Sequence, residues 1–233
     1  MKPYKSDIPQ GVKEVVVSAY REEPHENGKH IYPQVTECIL NNEIVGQRSY
    51  NADGSLWRET PLKNGKKHGR EYIWDIITGA LESVEPYVNG KMHGLAKQYN
   101  PEGKVIGTYR FVHGTGFDIW RCEREDGSIA ISEIFTVKDG ALHGYEWWLK
   151  RDQHSVWHER HWQHGQYHGI ERMWNAQGRL KPDYPKYWIQ GKKVDKRSYL
   201  RAAEHDATLP KYQEKDNRPR RKFPAEIEKL SSK

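Results

Sequence analysis

Apolar side chains in this chain recur at every second position in short runs, and glycine-bearing turns cut the runs. Tyr72 and Trp74 are two apart, as are Tyr145, Trp147 and Leu149. Phe117 and Ile119 keep the same interval, and positions of the opposite parity such as Glu71 and Asp118 are charged. Successive side chains of a strand point to opposite faces, so this pattern predicts strands with one dry and one wet face. Returning runs such as Val105, Tyr109, Phe111 and Ile129, Ile131, Ile134, Phe135 are β-branched and aromatic, as strands prefer.

The turns repeat. Asn64-Gly65-Lys66-Lys67-His68-Gly69 returns as Asn89-Gly90-Lys91-Met92-His93-Gly94, Asp139-Gly140-Ala141-Leu142-His143-Gly144 and His164-Gly165-Gln166-Tyr167-His168-Gly169. A shortened copy stands at His113-Gly114-Thr115-Gly116. The first glycines, Gly65, Gly90, Gly114, Gly140, Gly165 and Gly191, are 25, 24, 26, 25 and 26 residues apart. A second set of turns, Asp53-Gly54, Thr78-Gly79, Glu102-Gly103, Asp126-Gly127 and Gln177-Gly178, keeps the same period. One fixed period of this size predicts a repeat array. Each unit reads turn, strand, turn, strand, because Asn-Gly and Asp-Gly suit tight hairpins. A worn copy is expected to begin near Gly46.

The expected fold is mainly β: a single-layer array of consecutive antiparallel hairpins over residues 46–193. Residues 1–45 read as a degenerate capping repeat, with strands at Glu14–Val17 and Thr36–Leu40 around the polar stretch 22–29. Residues 194–233 read as a short helix capped by Asp195, with Tyr199, Leu200 and Ala203 on its docking face, then a basic tail of irregular or partly disordered backbone. Hydrophobic residues are 35% of the chain while 9 Trp and 14 Tyr supply large rings, which suits an array burying one thin layer.

The Asn-Gly-Lys-x-His-Gly signature, repeated in phase over roughly residues 45–193, resembles the MORN repeat in its divergent bacterial variant. Bacterial proteins of that kind are often labelled antitoxin components of toxin–antitoxin systems. The resemblance implies a hairpin array and a protein partner such as a toxin. The Tyr-x-Gly-x-Trp half of the eukaryotic repeat has no counterpart here, so the family's phospholipid binding does not carry over.

Catalysis and metal binding find little support. Equivalent residues of successive hairpins should lie about 9–10 Å apart, twice the strand spacing. His68, His93, His143 and His168 then cannot share an ion that holds nitrogen at about 2.0–2.1 Å. In the run His154, His158, His161, His164, His168, the odd spacing of His158 and His161 puts them on opposite faces. Glu71, Glu146 and Glu171, each two residues after a His-Gly pair, read as a solvated carboxylate column. No phosphate loop or nucleophile elbow is present, and Cys122 beside Arg121 and Arg124 reads as a structural thiol. No cofactor, no metal and no enzyme activity are expected.

The net charge is +6. Lys211, Lys215, Arg218, Arg220, Arg221 and Lys222 face only Glu214 and Asp216 between Pro210 and Pro224, a local +4 that marks an anion-binding candidate. The chain lacks a long apolar run, a secretory-type start and a dense set of cysteines, having two, so a cytoplasmic protein is expected. The expected function is non-enzymatic binding of another protein through Trp147, Trp148, Trp157 and Trp162. The alternative is an adaptor that binds anionic lipid or nucleic acid through the basic tail. Trp147 and Trp148 are neighbours on a strand, so one of them must face outward.

Overall fold

The computed structural model describes residues 4–25 and 28–231. The chain parts into two compact units that meet in sequence at His113 and Gly114, the shortened copy of the signature. Both are built of consecutive antiparallel hairpins, as the periodicity predicts.

The first unit contains β1 (Lys13–Ser18), β2 (Arg21–His25), β3 (Gly28–Tyr32), β4 (Gln34–Leu40), β5 (Glu43–Tyr50) and β6 (Leu56–Lys63). It continues with β7 (Lys66–Lys67), β8 (Gly69–Trp74), β9 (Leu81–Val88), β10 (Lys91–Met92), β11 (Gly94–Tyr99) and β12 (Val105–Val112). Pairing runs β1–β4–β5–β6–β8–β9–β11–β12. β2 and β3 form a separate hairpin, and Glu26 and Asn27 of the polar stretch lie outside the described residues.

The second unit contains β13 (Thr115–Glu123), β14 (Ile129–Lys138), β15 (Ala141–Leu149), β16 (Val156–Gln163) and β17 (Gln166–Tyr167). β18 (Gly169–Met173), β19 (Lys186–Ile189) and β20 (Lys192–Val194) complete its sheet, which pairs in the order β13–β14–β15–β16–β18–β19–β20. Helix α1 (Lys196–His205) and a second short helix, α2 (Ala225–Ser231), follow.

The signature is a turn with both central residues at positive φ, as in Asn64 at 51° and Gly65 at 69°. That conformation is what a two-residue hairpin of right-handed twist requires. Asn41 and Asn42 take it as well, at 51° and 63°, so the worn first copy begins there. Gly46 is instead buried inside β5. At the second set of turns only the glycine has positive φ, and a register shift follows close by in β5–β6, β8–β9, β11–β12 and β13–β14. The extra residue at each such bulge strengthens twist.

Each unit is strapped by its own chain terminus. In the first, residues 4–8 cross the sheet: Tyr4 packs edge-on against Tyr72 and Trp74, with centroids at 5.0 and 5.2 Å. The buried carboxylate of Glu59 accepts from Tyr4 Oη (2.5 Å), Ser6 Oγ (2.6 Å) and Arg48 Nε (2.9 Å). Ile8 is buried where Gly46 leaves room; a Cβ on Gly46 would stand 2.3 Å from Ile8 Cδ1.

In the second, α1 lays Tyr199 into a cluster with Ile170, Tyr187 and Leu209. Asp195 caps α1 by accepting from Ser198 N–H, as its sequence suggests. Leu200 does not join the docking face and stays 38% exposed. The backbone after Leu209 is largely irregular, as expected, but it is a strap with defined contacts and not a partly disordered tail. It pairs with β16's approach through Val156 N–H to Pro219 O and Arg221 N–H to His154 O. Phe223 and Ile227 are buried.

Candidate functional site

β15 places Trp147 and Trp148 on opposite faces of the second unit, and the strap decides which is inside. Trp147 is 6% exposed, with Phe223 edge-on at 5.3 Å, Tyr145 stacked at 5.3 Å and its Nε1 donating to Glu159. It is core, and its assignment to the interaction surface is corrected. Glu159 sits beside it with four donors: Arg221 Nε (2.5 Å), Arg221 Nη2 (3.0 Å), Arg172 Nη1 (2.9 Å) and Trp147 Nε1 (2.9 Å). Burial alone would raise this carboxyl; the two guanidinium groups outweigh it and hold it low.

The opposite face carries the other three tryptophans. Trp148 stacks on His158 at 4.7 Å and lies 5.8 Å from Trp157, which is 41% exposed. Tyr184 adds an edge to His158 at 6.4 Å. Trp162 packs on Tyr167 at 4.2 Å, and Tyr167 on Trp188 at 5.1 Å. Arg160 joins the two ring groups, with its guanidinium 4.9 Å from the Trp148 ring and 5.4 Å from Tyr167. Cation–π contact of this kind also fixes a flexible side chain in place.

Beneath the rings lie carboxylates. Glu146 accepts from Trp162 Nε1 at 2.6 Å and Glu171 from Trp188 Nε1 at 3.1 Å, 16 and 17 residues onward. Glu171 also meets His158 Nε2 at 3.0 Å and Arg160 Nε at 3.4 Å. Glu71 of the first unit accepts from Thr60 Oγ1 (2.6 Å) and Lys67 Nζ (2.9 Å). All three glutamates are buried, so the solvated column is not what the fold makes. Trp162 and Trp188, each one hairpin along, cover Glu146 and Glu171. Burial lifts the Glu146 carboxyl to about 7, against the pull of Trp162 and Arg160. It also lifts Glu85, which faces Glu71 across β8 and β9.

The sequence reading missed Arg160, Tyr167, Tyr184 and Trp188. A usable signal was there: Tyr87, Trp162 and Trp188 each follow a repeat glutamate at 16 or 17 residues.

The basic segment divides. Arg221 is committed to Glu159, while Lys211, Lys215, Arg218, Arg220 and Lys222 are exposed. Among the described residues, no three His, Cys, Asp or Glu side chains converge as metal ligands would. Cys38 is buried, Cys122 exposed, and both are free thiols. No described helix is long and apolar enough to cross a membrane. No protein-family model matches the chain, and no curated protein matches it.

Proposed function

We propose that this chain is a non-enzymatic, cytoplasmic protein-binding module whose recognition surface is the Trp148–Trp157–Arg160 face of the second unit. One observation carries the reading. Trp157 is a large exposed ring held against Trp148 on a rigid strand pair, on the face opposite the C-terminal strap. Trp, Tyr and Arg dominate interface hot spots, and here they are immobilised before any partner arrives. The likeness of the signature to bacterial MORN-type repeats supports a partner that the module neutralises, such as a toxin, by covering its working surface.

The site offers no chemistry of its own. Glu146 and Glu171 spend their oxygens on Trp162, Trp188, His158 and Arg160. Affinity capture from the native host tests the reading. A partner retained by the wild type should be lost with Trp148→Ala and Trp157→Ala, each weakening binding by about 2 kcal/mol. Retention by both variants, with their melting curves unchanged, would refute it.

A further inference from the structure

A second group of exposed cations lies beside the basic strap. Lys192, Lys193, Lys196, Arg197 and Arg201 stand against Asp195 and Glu204 between residues 192 and 205, a net +3. All five are exposed. One of the two carboxylates is already engaged, since Asp195 accepts from Ser198 N–H at 3.0 Å and Ser198 Oγ at 2.7 Å. Among the described residues, Lys192, Lys193, Arg197 and Arg201 enter no ion pair.

Geometry gathers four of these charges. β20 runs directly into α1, and Lys192 pairs with Ile189 on the face that packs against α1, whereas Lys193 pairs with Trp188 on the opposite, aromatic face. Lys196, Arg197, Leu200, Arg201 and Glu204 lie together on the open side of α1. Arg197 and Arg201 are four residues apart and share a helix face, with a rise of about 6 Å between them. The opposite side of α1 is fixed to the sheet through Tyr199, Ala202 and Ala203. Lys196 Nζ lies 4.0 Å from the Tyr212 ring and ties the helix to the strap.

Three kinds of anionic occupant compete for such a surface. A membrane would need an apolar helix face to insert, and here that face is against the sheet, leaving Leu200 as the apolar residue on the open side. An acidic protein would need a dry anchor at the centre, and no aromatic residue stands among these five. A phosphate backbone needs neither, because neutralising phosphates releases counterions and the contacts work in water. We propose that the α1–β20 surface binds the phosphate backbone of nucleic acid, without reading its sequence, through Lys192, Arg197 and Arg201. This site is separate from the aromatic face and stands without it.

Fluorescence anisotropy with a labelled duplex DNA of about 20 base pairs, titrated with the full chain from about 50 to 200 mM salt, tests the proposal. Wild-type affinity should fall with salt at a log–log slope of about −3, the value for three neutralised phosphates. Arg197→Glu/Arg201→Glu should reduce that slope by about 2 and weaken binding by at least about ten-fold. Lys63→Glu/Lys66→Glu, an equal change of net charge in the first unit, should leave the slope in place. If the helix pair fails to fold by circular dichroism, Lys192→Glu carries the same test, with the slope reduced by about 1. Three results would overturn the proposal: no salt-dependent binding, equal loss in the Lys63/Lys66 control, or equal or tighter binding to phosphatidylserine vesicles or polyglutamate.

Discussion

Arg221 grips Glu159 with two nitrogens, Nε on Oε2 at 2.5 Å and Nη2 on Oε1 at 3.0 Å, across 62 residues of sequence. The pair fastens the C-terminal strap to β16, with Trp147 and Arg172 completing the carboxylate's contacts. Removing one partner of a buried pair leaves an under-compensated charge, which is the costly case. Arg221→Ala should therefore destabilise by about 3 kcal/mol in urea unfolding. Deleting residues 210–233 should unfold the second unit, because Phe223 and Ile227 leave with the strap. A truncation that folds normally would contradict this.

Acid should act through the same carboxylate. Its folded-state pKa is held low, so its contribution is present above the ordinary carboxyl value and is lost as pH falls through the depressed one. Melting temperature followed from pH 5 downward should drop less steeply in Glu159→Gln than in wild type.

Glu146 has the opposite sign. Its folded pKa is raised from 4.5 to about 7, so the unfolded chain ionises first as pH rises. Stability from this group is fully present below 4.5 and declines toward 7. Glu146→Gln keeps an acceptor for Trp162 and removes the buried charge. It should gain about 2 kcal/mol at pH 8 and flatten the profile between those values. An unchanged profile would mean that the carboxyl is ionised at no cost.

Gly46 and Ile8 should couple. Gly46→Ala places a methyl carbon 2.3 Å from Ile8 Cδ1 and 3.2 Å from Thr60 O. Overpacking of this kind costs about 1–3 kcal/mol. With Ile8→Ala already in place the same change should cost much less, and a double-mutant cycle would report the difference.

Chelation should be silent. EDTA is expected to leave the melting temperature unchanged, since among the described residues no three His, Cys, Asp or Glu side chains converge. A fall of several degrees would reveal a metal whose binding energy is part of folding energy.

The hairpins were legible because positive φ at Asn64, Asn89 and Asp139 has few sequence solutions, and those recur in phase. Tyr72 and Ile119 were legible as core from parity alone. Glu146 and Glu171 were not, because their burial depends on rings contributed by the next hairpin, which alternation within one strand does not record. The strap was hidden by its composition: three apolar anchors, Leu209, Phe223 and Ile227, are spread through basic and proline-bearing chain. Parity separated Trp147 from Trp148 but could not say which side the strap would cover.

Neighbouring turns are joined to one another by the backbone itself. Gly90 N–H donates to Lys67 O, Gly140 to Gly114 O, Gly165 to Leu142 O and Gly191 to Tyr167 O, at 2.8–2.9 Å. Because each splice uses main-chain atoms, a hairpin does not need a particular neighbour, only one in the same phase. Length in such a chain is therefore an integer variable. Loss or gain of one whole period rejoins seams of the same kind, whereas loss of a single residue within a strand turns the rest of that strand's side chains to the wrong face.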